Sequence, residues 1–405
     1  MEYKLEGVFD LQMGKTPSRD RADYWNTNDF KWISIADLTK SDKFISETKE
    51  YLSDVAVKES GISLIPSGTV IMSFKLSIGK AAITTEPMYS NEAIMAFKDK
   101  HVIQLLPDYV YYMLTGKNWD ECANKAVKGK TLNKATLSKI KVNIHDLPKQ
   151  REIVAVLDKT KSLIDKRNRE LKQLDNLIKA RFVELFGDPR SNPYGFGKKM
   201  LKDTCKVVTG NTPSRGVEDY YGDYVEWIKT DNIVSGLLNP TMAAECLSEE
   251  GMKVGRIVEK DSILMACIAG SIASIGRVCV TDRTVAFNQQ INAVVPEEYN
   301  ILFLYVMLQL SKEYLVEEIN MALKGILSKS KLEEKEFIVP PMELQEQFAD
   351  FVKQVDKSRV VVSSKIKNAI FAIMLSVSFG QITPSSRKFL CLHIFCRHIS
   401  LYKSL

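Results

Sequence analysis

The pattern of apolar positions is most regular between Lys149 and Phe186, a stretch that contains neither glycine nor proline. Its apolar side chains recur at heptad spacing, which predicts a long coiled-coil helix. At 1.5 Å per residue, a helix of about 36 residues is roughly 54 Å long. The seam positions are Ile153, Leu157, Ile164, Leu171, Leu174, Ile178 and Leu185.

A second seam with the same phase lies 195 residues further along the chain. Five of its seven positions are apolar, and the other two are Arg359 and Gly380. Two long helices in one chain can bury such seams against each other. We therefore predict that the two helices form an antiparallel coiled coil.

The regions before each helix have a different pattern, in which short β-like runs such as 69–74 and 262–266 alternate with Gly and Pro turns. This pattern predicts two mixed α/β globules, each followed by a long helix, and so an α+β fold class. Proline and glycine mark the boundaries. The predicted domains are a first globule at 1–147, a central helix and exit turn at 148–189, a second globule at 190–341, a second helix at 342–379, and an atypical tail without a heptad pattern at 380–405.

An internal repeat connects the two globules. The sequence Gly-Lys-Thr-Pro-Ser-Arg at 14–19 recurs as Gly-Asn-Thr-Pro-Ser-Arg at 210–215, and Trp-Ile at 32–33 recurs at 227–228. Further landmarks follow in the same order, with an offset that stays between 195 and 197 residues. The chain is therefore a tandem duplication.

Composition narrows the function only slightly. Hydrophobic residues make up 45% and charged residues 26% of the 405 residues, which is typical of a globular protein. The formal charge of +6 is a mild excess that is compatible with nucleic acid. Seven cysteines without a Cys-x-x-Cys pair indicate reduced thiols. The chain also has no signal-peptide pattern and no apolar run of about 20 residues, so we expect a cytoplasmic protein without a membrane partner.

Motifs for catalysis and cofactors are incomplete. Gly129-Lys130-Thr131 resembles the end of a phosphate loop, but Asn124 stands where the first glycine belongs. The cysteines and histidines at 391–398 are spaced more tightly than the ligands of zinc fingers. Asn192-Pro193-Tyr194 is a linker turn, because it lacks a second proline. We therefore predict no catalytic residue, no metal and no cofactor.

The repeated motifs resemble the specificity (S) subunit of type I restriction–modification systems over about residues 5–379. The most diagnostic motifs are Gly-x-Thr-Pro-Ser-Arg with the Trp-Ile strand, and the Leu-Pro-x-Gln entry into the helix at 147–150 with its Phe-Gly-Asp-Pro exit at 186–189. The resemblance implies two target recognition domains, each of which reads one half of a bipartite site in double-stranded DNA. It also implies two methyltransferase (modification) subunits as partners, with restriction and translocase subunits in the full complex.

The repeated Gly-x-Thr-Pro-Ser-Arg loops offer hydroxyl, amide and cationic donors that suit phosphate oxygens. Residues shared by both copies cannot distinguish two different half-sites, so we expect them to position the protein or support its fold. The alternative for each arginine is a salt bridge with an acid such as Asp23 or Asp219. The candidate residues are Lys15, Thr16, Ser18, Arg19, Asn211, Thr212, Ser214 and Arg215.

A lysine-rich loop at 125–134 and its copy near 324–331 are further candidates for phosphate contact, with a plain solvated loop as the alternative. Base readers are expected where the copies diverge, as in 37–43 against 231–237 and 73–77 against 269–273. For the amides, a buried hydrogen-bond network is the alternative. The candidates are Lys128, Lys130 and Lys324 in the lysine loops, and Lys40, Ser73, Lys75, Lys80, Asn232, Ser271, Arg277, Gln289 and Gln290 elsewhere.

Two other functions remain open from the sequence. The chain could be the recognition portion of a restriction enzyme with its own nuclease activity, although no acidic nuclease cluster is recognisable in the sequence. It could also be an inactive or silent scaffold copy, because the tail at 380–405 departs from the pattern of the family.

Overall fold

The computed structural model describes residues 1–75, 78–119, 124–126, 129–269, 271–317, 319 and 325–378. The described chain divides into two compact units. The first unit contains Met1–Asp165 together with residues 367–378, and the second contains Lys166–Ile366. Each of the two long helices therefore contributes to both units. Lys128, Lys324 and the tail at 380–405 lie outside the described residues.

The first unit is a mixed α/β globule, as the alternating runs and turns predict. Its described strands are β1 (Glu2–Lys4), β2 (Phe9–Met13), β3 (Trp25–Ile33), β4 (Phe44–Ile45), β5 (Glu50–Leu52), β6 (Val70–Ser73), β7 (Ala81–Thr84), β8 (Tyr89–Ser90), β9 (Ile94–Asp99), β10 (Asn124–Ala126), β11 (Gly129–Thr131) and β12 (Lys141–Asn143). Its described short helices are α1 (Leu5–Val8), α2 (Ile35–Lys40), α3 (Asp54–Ser60), α4 (Pro107–Thr115) and α5 (Lys134–Ser138).

Two sheets position the functional loops of the first unit. One has the strand order β2-β9-β6-β7-β4, and the other has the order β5-β3-β8. Within the second sheet, β3 pairs in parallel with β8, which places Trp32 opposite Tyr89. The residues of β6 and β7 are buried on both faces, so these strands read as continuous apolar runs.

After the first long helix, α6 (Leu147–Phe186), the second unit repeats this plan. Its described strands are β13 (Lys198–Met200), β14 (Cys205–Thr209), β15 (Tyr221–Gly222), β16 (Val225–Ile228), β17 (Cys246–Leu247), β18 (Ile257–Val258), β19 (Ile263–Ala266), β20 (Val278–Val280), β21 (Val285–Phe287), β22 (Ile291–Pro296) and β23 (Glu336–Ile338). Its described short helices are α7 (Glu249–Val254), α8 (Ile301–Leu310), α9 (Lys312–Val316) and α10 (Lys329–Glu333), and the second long helix is α11 (Met342–Ser378).

The sheets of the second unit have matching pairings. Strand order is β14-β22-β19-β20 in one sheet and β15-β17-β16-β21-β18 in the other. The parallel pair is conserved in position, because β16 pairs with β21 as β3 pairs with β8. Trp227, the counterpart of Trp32, is almost completely buried at 3% exposure. The structure therefore supports the tandem duplication that the sequence predicts.

The two predicted long helices are confirmed: α6 has 40 residues and α11 has 37. Helix α6 ends at Phe186, and the φ of +72° at the next residue, Gly187, favours glycine. A Cβ there would come within 2.3 Å of the Pro193 ring. No helix among the described residues is long and apolar enough to cross a membrane.

Within the second unit, the C-terminal half of α6 packs against the N-terminal half of α11. Phe182 and Phe186 contact Phe348, with ring centroids 5.4 and 5.6 Å apart. Further from this end, Asp175 of α6 forms an ion pair with Arg359 of α11. Because the contacts move backward along α6 as they move forward along α11, these two segments run antiparallel.

Candidate nucleic-acid interface

The two Gly-x-Thr-Pro-Ser-Arg loops follow β2 and β14, and each begins with a glycine that the packing requires. A Cβ on Gly14 would lie 2.2 Å from the carbonyl oxygen of Asn91, and one on Gly210 would lie 2.2 Å from that of Asn288. Any larger residue would push this backbone away from the segment that follows β8 or β21. The glycine is therefore a feature of the fold in both copies.

A buried tryptophan holds the next residue of each loop. The indole of Trp32 donates to the carbonyl oxygen of Lys15 at 3.0 Å, and that of Trp227 donates to Asn211 at 3.2 Å. A buried indole N–H requires such an acceptor. This contact explains why the Trp-Ile strand and the loop recur together in the sequence.

The loop arginine stacks on two aromatic rings in each unit. Arg19 lies 3.8 Å from the centroid of Trp25 and 5.0 Å from that of Trp32. Arg215 lies 4.4 Å from Tyr221 and 5.0 Å from Trp227. A guanidinium over an aromatic face gains cation–π attraction while its edges stay free to donate.

Each arginine also forms an ion pair, but not with the acid that the sequence suggested. Arg19 pairs with Glu50 on β5, and Arg215 pairs with Glu245 at 2.6 Å. Asp23 instead pairs with Arg21 at 2.6 Å, so the suggestion of Asp23 was wrong. Glu50 and Glu245 are distant in sequence and reach the loop through strand pairing. About half of each arginine side chain remains exposed, at 50% and 54%.

The loop threonines bind residues that differ between the copies. Thr16 donates to the carboxylate of Glu92, whereas Thr212 donates to the amide oxygen of Gln289. The hydrogen bond from Thr16 is the main reason why the pKa of Glu92 lies below its usual range. Gln289 therefore accepts a hydrogen bond from the loop of its own unit. Its position in the sequence did not predict this contact.

The remaining loop candidates divide into two groups. The side-chain amide of Asn211 is already hydrogen-bonded within the unit. It donates to the carbonyl oxygen of Val254 at 2.9 Å and accepts from the Arg256 N–H at 2.7 Å. The ammonium of Lys15 donates to the carbonyl oxygen of Ser60. Ser18 and Ser214 are exposed at the loop surface.

Two predicted base readers are buried and hydrogen-bonded within the fold. Asn232 is 9% exposed, and its amide donates to Thr241 Oγ1 and to Met242 O while it accepts from the Lys229 N–H. It caps a short helical turn, as Asp37 caps α2 in the first unit. Ser73 is completely buried and accepts from the Lys80 N–H. In this structure both side chains are engaged within the fold.

Several divergent candidates keep some exposure. Lys40 and Ser271 are exposed, and Lys75 lies partly exposed with its ammonium 5.4 Å from the ring of Phe74. Lys80 is half-buried. Gln290 accepts from the amide of Asn288 at 3.2 Å, which gives the hydrogen-bond network that was the alternative for this cluster. The backbone of Lys130 lies in β11, and its side chain is outside the described part of the structure.

An ion pair across the parallel strands has opposite polarity in the two units. Lys31 of β3 pairs with Glu86 at 2.6 Å. At the corresponding positions of the second unit, Glu226 of β16 pairs with Arg283 at 2.7 Å. The interaction is retained although both charges are reversed.

In the first unit, charged contacts fasten the divergent segment at 37–43 to α6. The ammonium of Lys43 lies 2.7 Å from a carboxylate oxygen of Asp158, and Lys161 lies 2.6 Å from Asp42. Lys43 is only 8% exposed, so its charge is stabilised mainly by its acidic partners.

In the second unit, the corresponding segment at 231–237 is fastened to α11 by different chemistry. Arg359 donates to the carbonyl oxygen of Gly236 at 3.2 Å, and the same guanidinium pairs with Asp175 of α6. Burial lowers the pKa of Arg359. The segments expected to differ in DNA contact are thus both attached to a long helix.

A buried glutamine at the start of each long helix was not recognised as structural from the sequence. Gln150 is fully buried and accepts from the Leu106 N–H at 3.0 Å. Gln345 is 1% exposed and accepts from the Asn300 N–H at 3.0 Å. Each amide thereby locks the turn before α4 or α8 against the helix. The signal was present in the repeat, because glutamine recurs at this position in both copies.

The comparisons with known proteins agree with this architecture. The family described as "Type I restriction modification DNA specificity domain" matches residues 1–176 and 193–372. The chain belongs to this family, and the resemblance stated from the sequence is confirmed. The two matched segments correspond to the two copies of the repeat.

Individual relatives show the same similarity. The chain is 23% identical to the type I restriction enzyme MjaIX specificity subunit of Methanocaldococcus jannaschii, over 94% of this chain and 92% of that protein. It is 32% identical to the HindI specificity subunit of Haemophilus influenzae over 29% of this chain and 25% of that protein. The fold is similar to the crystal structure of the type I S subunit from M. genitalium, with a TM-score of 0.53, 12% identity, and coverage of 98% and 96%.

Proposed function

We propose that this protein is the DNA-binding specificity subunit of a type I restriction–modification complex and has no catalytic role of its own. Its globules at 1–147 and 190–341 each read one half of a bipartite sequence in double-stranded DNA. The observation that carries this proposal is the family match to both copies of a tandem repeat. Two similar globules with divergent segments are suited to two different half-sites.

The divergent surface in each unit supports independent reading. Shared loop residues such as Arg19 and Arg215 are engaged by Glu50 and Glu245 within their own globule. They retain exposed donors that suit phosphate oxygens, and phosphate contacts position a protein without specifying sequence. Base contacts therefore fall to exposed divergent residues such as Lys40, Lys75 and Ser271.

The long helices are proposed to form an antiparallel coiled coil that sets the distance between the half-sites. The antiparallel packing of Phe182, Phe186 and Phe348 in the second unit supports this arrangement. Buried seam residues also support it, because Leu157, Ile164 and Ile178 are at most 8% exposed.

An apolar stripe on α6 supports docking of partner subunits. Val156, Leu163 and Leu177 are 39%, 42% and 48% exposed, and they are spaced by 7 and 14 residues along the helix. We propose that two methyltransferase subunits dock on the helices, with restriction and translocase subunits in the full complex. Complex assembly of a type I system is the subject of a second solved structure with a TM-score of 0.53 and 14% identity, covering 97% of each chain.

The test is an exchange of one globule. Residues 1–147 are replaced by the corresponding globule of another specificity subunit, and the chain is expressed with its methyltransferase partners. Methylome sequencing should show that one half of the recognised sequence changes while the other half and the spacer stay the same. Exchange of 190–341 is the matched control and should change only the other half. A change in both halves after either exchange would contradict independent reading.

A further inference from the structure

A cavity of about 280 Å³ lies within the second unit, where α6, α8, α9 and α11 meet the loop before β20. Its lining includes Arg277 and Lys312, which both contact the loop at 273–274. Arg277 donates from Nε to the carbonyl oxygen of Ser274 at 3.2 Å. Lys312 donates to the carbonyl oxygen of Ala273 at 2.6 Å. The two cationic groups are thus held by adjacent backbone carbonyls.

Packing holds both side chains in place. The Cγ of Lys312 lies 3.5 Å from the position of a Cβ on Gly276, so its stem runs along the backbone next to Arg277. Arg277 makes a second contact from Nη2 to the carbonyl oxygen of Thr230 at 3.1 Å. A rigid pair of cations costs little conformational entropy when it binds a ligand.

Within the described residues, neither Arg277 nor Lys312 forms a salt bridge with a carboxylate. Carbonyl oxygens satisfy their donors in part but do not neutralise their charge. Burial, and then the charge of Arg277, lower the pKa of Lys312. This arrangement is unfavourable for the empty protein, because two like charges share a partly desolvated space.

The acids that line the same cavity do not neutralise this pair. Asp175 is paired with Arg359. Burial raises the pKa of Asp356, and within the described part of the chain this carboxylate forms no salt bridge. The first unit differs at this place, because the side chain beside Gly79, the counterpart of Gly276, is that of Trp119.

We infer that Arg277 and Lys312 form a binding site for a phosphate-type oxyanion at this cavity. An anion with several oxygens can accept from a guanidinium and an ammonium together while it neutralises both charges. The oxyanion can be a free phosphate ion or a phosphate of the DNA backbone. The site does not depend on the proposed recognition function, because inorganic phosphate is itself the probe.

The first experiment measures the melting temperature of the purified full chain in phosphate and in chloride at equal ionic strength. When phosphate is present at about five times its dissociation constant, we expect it to raise the melting temperature by roughly 2–4 °C. Lys312→Met keeps the stem and removes the charge, and Arg277→Gln keeps a donor without the charge. Both variants should lose the phosphate-dependent rise, with folding checked by circular dichroism.

Lys206→Gln is the matched control, since it removes one exposed lysine charge from β14 of the same unit. Its phosphate-dependent rise should equal that of the original chain. The inference would be overturned if phosphate did not raise the melting temperature of the original chain, or if it raised that of Lys312→Met by the same amount.

A second experiment distinguishes the two sources of phosphate. Binding of a random-sequence DNA duplex is measured as a function of salt concentration. If the DNA backbone supplies the oxyanion, Lys312→Met should reduce the slope of log K against log salt by about 1, because one phosphate contact is lost. An unchanged slope together with a lost phosphate-dependent rise would identify the free ion as the ligand.

Discussion

The two units form the same loop, strand pairing and helix entry, but they stabilise them with different side chains. The glycine, tryptophan, arginine and glutamine positions are identical in both, whereas Glu92 is replaced by Gln289 and the pair Lys31–Glu86 becomes Glu226–Arg283. The shared residues are those whose replacement would leave no room for the backbone or would remove a hydrogen bond or ion pair that holds the loop or the helix entry. Among the exchanged ones, the ion pair keeps both charges with their positions reversed, and Gln289 accepts from a threonine as Glu92 does. The comparison teaches that geometry is constrained more strongly than charge in this fold.

The largest effect is expected at the loop glycine. Gly210→Ala places a methyl group 2.2 Å from the carbonyl oxygen of Asn288, so the loop and the end of β21 must separate. We expect a loss of roughly 3–5 kcal/mol of local stability, as for other severe steric changes. Hydrogen exchange should show β14 and β22 exchanging faster while β2 and β9 stay protected. Equal protection of all four strands would show that the loop can move without cost.

The next effect tests the reversed ion pair. Glu226→Lys places a lysine beside Arg283 and removes the acceptor of the Ala243 N–H, so we expect destabilisation by about 2–3 kcal/mol. Urea unfolding measures the change. The double variant Glu226→Lys with Arg283→Glu adopts the polarity of the first unit and should recover at least half of the loss. A double variant as unstable as the single one would show that the pair itself is not responsible.

A smaller effect is expected when the divergent segments are released from the helices. Lys161→Met removes the contact with Asp42 in the first unit, and Arg359→Met removes the contact with Gly236 in the second together with the ion pair to Asp175. A hydrogen bond that positions such a segment contributes about 1 kcal/mol. Its loss corresponds to a roughly fivefold loss of discrimination between the correct and an incorrect half-site sequence. In the assembled complex, each variant should relax methylation specificity in one half-site only. This prediction rests on the proposed function.

Lys353→Met is the control for these two variants, because Lys353 lies on α11 in an exposed pair with Asp350. It should leave the specificity of both half-sites unchanged. Relaxation of both half-sites by Lys161→Met would instead indicate a general loss of assembly.

The smallest effect is a difference in acid sensitivity. The pKa of Glu92 is lowered in the folded state, so its contribution to stability is complete above its unfolded pKa of about 4.3 and is lost as the pH falls through the lower folded value. Gln289 does not titrate, so the second loop should lack this dependence. Stability measured by urea between pH 3 and pH 6 should show that Glu92→Gln flattens the acid side of the profile by less than about 1 kcal/mol. An unchanged profile would assign the acid sensitivity to other carboxylates.

The sequence by itself determined the duplication, the mixed globules and the two long helices. These features follow from local periodicity and from residues whose backbone demands are strict, such as Gly14 and Gly210. Heptad spacing predicted α6 from Lys149 onward, and the structure begins it two residues earlier at Leu147. The family followed from the same repeated motifs.

Only the tertiary structure decided how polar side chains are used. The partners of Arg19 and Arg215 are Glu50 and Glu245, which strand pairing brings to the loop from about 30 residues away. Asn232 has donors that suit a base edge, but packing buries it as a helix cap. The type of a polar residue determines only which hydrogen bonds its side chain can donate or accept. Which group it meets depends on contacts between distant segments, and local sequence does not encode those contacts.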